Sequence, residues 1–258
     1  MILQQIKQHQ LALNQKLQKE VSFEQLKDSA YFSAPINSLK YKLKNKSSNG
    51  IIAEFKRKSP SKGNINLQAK VEEVIPIYEK NNVAAISVLT NEAFFGATSQ
   101  DFTITRKLTN LPLLRKDFIV EPYQVYQTKA MGADILLLIA KMLDPNQLQE
   151  MAQLANEIGL EVLVEFHEAQ EINLHKKTIM DFAGINQRNL NNFEMHLQQA
   201  NDLIHMLPKE VFKIAESGIL DANTFHQLKN KGYDAFLIGE YFMKSDAITE
   251  AFNELILK

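Results

Sequence analysis

From residue 50 onward the chain alternates short apolar runs with segments of helical periodicity, eight times over. The apolar runs are 51–55, 84–89, 111–114, 135–139, 161–165, 180–185, 212–215 and 235–238. Helix-like segments follow at 71–80, 122–131, 145–158, 194–206, 222–230 and 247–257. Several of these begin at a capping residue, Asp144 before Pro145 or Asp221, and several stop at Gly132, Gly159 or Gly232. Repeated strand–helix units demand parallel strands joined by right-handed crossovers. Eight such units suit closure into a barrel better than an open doubly wound sheet. The expected fold is therefore α/β, a (β/α)8 TIM barrel over residues 50–258. Residues 1–49 are expected to be an N-terminal helical extension, and 1–258 a single domain with no linker.

In the extension, Ile2, Ile6, Leu13 and Leu17 recur at roughly helical spacing and predict an amphipathic helix over 2–20, lying on the surface of the main body. Residues 22–49 are polar, with breaks at 28–29 and 34–37. The run Lys40, Lys42, Lys44, Lys46 reads as a solvated face.

Composition removes whole classes of function. A formal net charge of −1 gives no general affinity for nucleic acid or an anionic membrane. The absence of cysteine excludes disulfides, thiolate metal sites and a cysteine nucleophile, and fits a reducing cytoplasm. The first ten residues carry no secretory signal, and the apolar run at 135–140 is too short to span a bilayer, so a soluble cytoplasmic protein is expected. The six histidines are scattered without paired spacing beside carboxylates, which suggests no metal. No G-x-S-x-G, G-x-G-x-x-G or P-loop occurs.

Barrels of this class place their chemistry at the C-terminal ends of the strands. Strand one ends in Glu54 and Lys56, which share a face with Ile52, and Pro60 and Gly63 then stop it in a basic, hydroxyl-bearing loop. Strand two ends in Thr90 before Phe94-Phe95-Gly96, and strand three in Arg115-Lys116-Asp117-Phe118. Strand four ends in apolar Ile139-Ala140 before Lys141. Strand five ends in Glu165, before Phe166-His167-Glu168. Asn186 ends strand six, followed by Arg188 and Asn189. Strand seven ends in Glu216-Ser217-Gly218 and strand eight in Gly239-Glu240. Each is, alone, an ordinary wet strand end. Together they bring two lysines and two or three carboxylates to one rim, where they separate one another's pKa values as proton transfer at neutral pH requires. Ser217-Gly218 and Gly239 follow the two strands whose loops often bind phosphate through backbone N–H groups, so the Glu240 side chain is expected to turn away from that anion.

These motifs have a collective resemblance. Ile51-Ile52-Ala53-Glu54-Phe55-Lys56-Arg57-Lys58-Ser59-Pro60-Ser61-Lys62-Gly63 closely resembles the signature of indole-3-glycerol phosphate synthases. So do Ser87-Val88-Leu89-Thr90 with Phe94-Phe95-Gly96, Leu114-Arg115-Lys116-Asp117-Phe118-Ile119-Val120, and Leu163-Val164-Glu165. Gly184-Ile185-Asn186-Gln187-Arg188-Asn189-Leu190, Ala215-Glu216-Ser217-Gly218-Ile219 and Leu237-Ile238-Gly239-Glu240 complete the set in order, over residues 50–243.

The resemblance implies conversion of 1-(2-carboxyphenylamino)-1-deoxyribulose 5-phosphate to indole-3-glycerol phosphate, with loss of carbon dioxide and water and with no cofactor or metal. It implies Lys116 as the acid that protonates the ribulose carbonyl. Lys56 is implied to bind the anthranilate carboxylate and to be a candidate donor for dehydration. Glu165 would stabilise a cationic intermediate or act as base, with Glu54 the alternative base, while Asn186, Ser217 and Glu216 orient these groups. Ser59, Arg188, Gly218, Gly239 and Glu240 are the implied substrate and phosphate contacts; Phe94 or Phe95, Phe118 and Leu190 would pack on the aromatic ring. The implied partner is the small sugar phosphate alone, with the protein a monomer or weak homodimer.

The chain departs from the family at Tyr241-Phe242, where a small or hydroxyl residue is expected, and in its Gln-rich first helix. A phosphoribosylanthranilate isomerase would need an early cysteine base that this chain lacks. A silent phosphate-binding barrel would not need the acid–base set.

Overall fold

The computed structural model describes residues 2–188 and 202–257. Its centre is a closed barrel of eight strands: β1 (Ile51–Phe55), β2 (Ala85–Leu89), β3 (Leu113–Lys116), β4 (Ile135–Ile139), β5 (Glu161–Phe166), β6 (Phe182–Asn186), β7 (Phe212–Glu216) and β8 (Ala235–Ile238). Every neighbouring pair is parallel, and β8 closes onto β1 through the Ile51–Phe236, Ile52–Leu237 and Ala53–Ile238 pairs. This is the TIM barrel that the alternation predicts. Strands β1, β2, β4, β5 and β8 are buried along their whole length, because helices cover the outer face while side chains fill the inner one.

Five strands differ from their sequence-predicted ranges: β2, β5 and β7 by one residue at one end, β3 and β6 by a shift of the whole strand. β3 starts two residues later than expected and runs on to Lys116, since Pro112, lacking an N–H, leads into it by accepting from Ile86 N at 2.9 Å. β6 starts at Phe182, because the Asp181 carboxylate is taken up by Val162 N at 2.9 Å. Both shifts put the polar terminal residue, Lys116 or Asn186, inside the strand, where the pleat fixes its direction.

Three helices belong to the extension: α1 (Ile2–Glu20), α2 (Phe23–Lys27) and α3 (Leu39–Lys44). The outer layer comprises α4 (Val71–Lys80), α5 (Glu92–Phe95), α6 (Asp101–Leu108), α7 (Pro122–Ala130), α8 (Pro145–Glu157), α9 (Ala169–His175), α10 (Ala222–Asn230), α11 (Glu240–Met243) and α12 (Ile248–Leu257). The predicted caps are real: Asp144 accepts from Asn146 N and Gln147 N, and Asp221 from Thr224 N. Helices α5, α6, α9 and α11 were not anticipated. Of the helix expected over 194–206, positions 194–201 lie outside the described residues, and Ile204–Met206 is a single 3-10 turn.

The extension covers both ends of the barrel. At the N-terminal end, Ser38 caps α3, and the Glu161 carboxylate at the start of β5 accepts from Ser38 Oγ (2.5 Å), Leu39 N (2.9 Å) and Lys40 N (3.3 Å). The lysine run is not simply solvated, since Lys40 pairs with Asp181 at 2.5 Å and Lys42 donates to Val83 O at 3.1 Å. At the catalytic end lies α1, and its buried stripe differs from the predicted one. Leu13 is 38% exposed, whereas Ile6, Gln10 and Asn14 are buried. Gln10 Nε2 donates to Asp117 Oδ1 (3.1 Å) and Phe118 O (3.0 Å), so this helix docks through amides as well as apolar contacts rather than resting on the surface.

Candidate active site

The C-terminal rim surrounds one cavity, and most of the predicted site residues line it. They are Glu54, Lys56, Ser59, Phe95, Lys116, Phe118, Glu165, Asn186, Arg188, Glu216, Ser217, Gly218, Gly239 and Glu240. Phe94 does not line it. It stands behind, edge-on to Phe118 at 6.1 Å and to His9 at 5.7 Å, while Phe95 stacks on Phe118 at 5.7 Å and faces the cavity. Leu190 lies outside the described residues.

The strand pleat delivers the charged groups. Glu54 and Lys56 point inward from β1 and its continuation, and the Lys56 ammonium is bonded to Glu54 Oε1. Across the cavity Lys116 Nζ donates to Glu165 Oε2 at 2.6 Å and lies 3.3 Å from Glu216 Oε2. Asn186 Nδ2 donates to Glu165 Oε1 at 2.9 Å, and Asn186 Oδ1 accepts from Arg188 N at 3.0 Å. One ammonium thus serves two buried carboxylates, and the two respond differently. Burial raises the pKa of Glu165, but Lys116 and His167, with hydrogen bonds from Lys116 and Asn186, outweigh it and bring the group down to about 2. For Glu216 burial dominates and pushes it up to about 8; Lys116 opposes the rise and Glu165 adds to it. Burial would lower Lys116, yet Glu165, Glu216 and Glu54 together hold the amine charged, above the ordinary lysine value. At neutral pH the cluster contains an ammonium, a carboxylate and a carboxylic acid side by side. Those are the ingredients for moving a proton to a carbonyl oxygen while stabilising a nearby cation.

Two glycines make room for these acids. A Cβ on Gly184 would lie 2.1 Å from Glu216 Oε1, and one on Gly239 would lie 2.7 Å from Glu54 Oε1. Ser217 carries its side chain at a φ of 67°, a left-handed conformation that costs on the order of 1–3 kcal/mol and is typical of positions held by function.

The opposite side of the cavity is cationic. Arg188 donates to Ser61 Oγ at 2.7 Å and reaches Glu240 Oε2 at 3.4 Å; Lys62 and Lys244 approach the same carboxylate at 3.8 and 2.8 Å. Glu240 therefore does not turn away, as the sequence suggested, but lines the cavity as the common partner of three cations. Tyr241 stays outside, packed edge-on to Phe242 at 5.5 Å, and does not narrow the site.

Other contributors carried no motif of their own. Leu3 and Ile6 of α1, with Leu89, Leu137 and Ile139, form apolar walls. Arg57 braces the first loop: it grips Asp101 with both terminal nitrogens and donates to Ala69 O at 2.9 Å, while its carbonyl accepts from Ile65 N and Asn66 N. The short antiparallel pair Lys58–Ser59 and Gly63–Asn64 extends from that brace. Asp117 collects Gln10, Thr90, Arg115 and Phe118 N, fixing the loop that carries Phe118. His167 is buried and lies 3.3 Å from Glu165 Oε1, so the histidines are not all remote from carboxylates.

The family model described as indole-3-glycerol phosphate synthase matches residues 3–255. The chain belongs to the indole-3-glycerol phosphate synthase family. It is similar to the indole-3-glycerol phosphate synthase of Bacteroides thetaiotaomicron, with 44% identity over 230 residues, covering 89% of this chain and 88% of the relative. It is also similar to that of Alkaliphilus metalliredigens, at 42% over 205 residues, covering 80% and 78%. Among solved structures, 3-hexulose-6-phosphate synthase from Salmonella typhimurium superposes with a TM-score of 0.62 at 13% identity, covering 81% of this chain and 97% of that one, which attests the fold. The synthase-family match extends through the first helix, the region whose Gln-rich sequence shows least of the family signature.

Proposed function

We propose that the cavity performs the family's decarboxylating ring closure on 1-(2-carboxyphenylamino)-1-deoxyribulose 5-phosphate. The observation that carries the reading is Lys116 held between a carboxylate and a carboxylic acid, across an apolar cavity from the Glu54–Lys56 pair. The anthranilate ring fits against Phe95 and Phe118 with its carboxylate at Lys56. The phosphate fits the opposite side, at Arg188, Ser59 and the backbone of Gly218 and Gly239. Lys116 then reaches the ribulose carbonyl.

As the ring carbon attacks, Lys116 protonates the carbonyl oxygen. The nitrogen becomes cationic, and Glu165 offsets that charge. The carbon–carboxylate bond breaks, its electron pair neutralises the nitrogen, and carbon dioxide leaves. Lys56 is the donor for the departing hydroxyl, and either Glu165 or Glu54 accepts the proton lost from the methylene beside nitrogen. Asn186 orients Glu165, and Glu216 remains as a proton-bearing neighbour of Lys116. The same reading makes this a cytoplasmic enzyme, monomeric or weakly dimeric. Among the described residues no helix is long and apolar enough to cross a membrane.

The test is the fluorescence of the indole product, followed with the unmodified protein and with Lys116→Ala. The unmodified protein should turn over; the variant should bind substrate and show no ring closure. Substantial turnover by the variant refutes the role given to Lys116.

A further inference from the structure

Resting on the proposed ring closure, the proton balance raises a supply problem. The departing water takes two protons from the enzyme, one through Lys116 and one through the dehydration donor. Only one returns, from the methylene carbon, because the carboxylate leaves as neutral carbon dioxide. Each turnover therefore leaves the protein one proton short, in a cluster whose carboxylates are almost wholly buried and whose two lysines, 14% and 17% exposed, meet solvent only through the cavity that the product fills until it leaves. Solvent must return it.

We propose that His167 and Glu171 form the path by which that proton reaches Glu165 and then Lys116. His167 Nε2 lies 3.3 Å from Glu165 Oε1, while Glu165 Oε2 accepts from Lys116 at 2.6 Å. On its other side, His167 Nδ1 lies 3.9 Å from Glu171 Oε2, a gap that a small rotation of the ring closes. Side-chain exposure rises steadily along this line: 1% at Glu165, 4% at His167, 12% at Glu171 and 47% at the adjoining Glu168.

Neither ring nitrogen of His167 has a hydrogen-bond partner of good geometry, although the imidazole is buried between two carboxylates. A core histidine serving only packing would be expected to satisfy them. Glu171 is held in place by His167 N at 2.7 Å and Glu168 N at 3.3 Å. The groups facing the imidazole are Glu165 near the end of β5, Lys116 from β3, Lys141 from the turn after β4, Glu168 from the cap of α9 and Glu171 from its first turn. Burial lowers the histidine's pKa; Glu165 opposes this, and Lys141 and Lys116 reinforce it. The imidazole is therefore neutral at rest and able to take a proton on one nitrogen while giving one from the other.

The step balances. When Lys116 has donated, its charge no longer depresses Glu165, which takes the proton of His167 Nε2 and passes it to the neutral Lys116 amine. Glu171 delivers a proton to His167 Nδ1 and recovers one from water. His167 acts through Glu165 and is a positioning residue rather than a catalytic one.

Steady-state turnover in H2O and D2O separates this path from a structural role. In His167→Ala, kcat should fall about 10- to 100-fold with KM within about twofold. The solvent isotope effect on kcat should rise, and added imidazole should restore the rate. His167→Gln keeps a donor for Glu165 but cannot relay, so it should remain slow. Full recovery by glutamine, or no rescue by imidazole, overturns the path. Glu171→Gln preserves the backbone acceptor and supplies the test should the alanine variant misfold; a normal kcat and isotope effect there also overturns it. Absence of turnover by the unmodified protein defeats the ring-closure reading itself, a distinguishable result.

Discussion

Replacing Gly184 by alanine adds one methyl group and removes nothing. The added Cβ would lie 2.1 Å from Glu216 Oε1 and 3.2 Å from Leu163 Cδ1. Relieving the first contact moves the Glu216 carboxyl by roughly 1 Å, since unbonded carbon and oxygen do not approach so closely. Glu216 Oε2 stands 3.3 Å from Lys116, an ion-pair contact without hydrogen-bond geometry, so a displacement of that size breaks the contact and leaves Lys116 to Glu165 alone. The backbone cost is small: alanine is favoured over glycine inside a strand by roughly 0.5–1 kcal/mol, which offsets much of the crowding at a flexible side-chain tip. Catalysis is the sensitive quantity, because misplacing a reacting group by about 1 Å costs on the order of 100-fold in rate. Gly184→Ala should thus lose about that factor in kcat, with a melting temperature within a few degrees of the unmodified protein. Because the effect runs through Glu216, it should vanish in a Glu216→Ala background, where the crowded atom is absent. The assay is indole-glycerol fluorescence on both single variants and the double variant. A kcat within threefold for Gly184→Ala, or an equal further loss in the double variant, refutes the reasoning.

Two further outcomes are expected. Glu216 has its folded pKa raised from 4.5 to about 8, so its contribution to stability is full below about pH 4.5 and is lost as pH rises through 8. Glu216→Gln should therefore flatten the decline of thermal stability across that window, as read by melting at each pH; an unchanged decline would count against a buried acid there. Gln10→Leu removes the amide's bonds to Phe118 O, Asp117 Oδ1 and Asn91 Nδ2, while Phe118 O keeps Gln124 Nε2 at 2.9 Å and Asn91 keeps Asp117 at 3.4 Å; it should cost about 1 kcal/mol in urea unfolding and raise KM through a loosened Phe118.

The periodicity of apolar runs made the barrel legible because burial on both faces leaves parallel strands few polar options until they reach the rim. That is why Glu54, Lys116, Glu165, Asn186 and Glu216 could be read as strand ends. Apolar spacing alone does not reveal the buried stripe of α1, because Gln10 and Asn14 occupy part of it. An amide in a sequence does not announce that its partner is Asp117, more than a hundred residues away. Glu240 failed for a related reason. A nearby anion would repel its carboxylate, but Lys62 and Lys244, which no strand-end pattern brings to mind, hold it toward the cavity. Phe94 and Phe95 were indistinguishable by type; only the cap of α5, in which Asn91 accepts from Phe94 N, determines which ring faces the cavity. The family match carries the activity further than any of these residues could alone.

The Ser38–Glu161 contact also sets a timetable for synthesis. The helix beneath the barrel needs a carboxylate that is 123 residues further along the chain, and at ~5–20 residues per second a ribosome takes about 6–25 seconds to supply it. Until then the first segment has no floor to seat on, and Leu39, buried in the finished protein, remains in water. The polar, lysine-rich stretch around it keeps this waiting segment soluble.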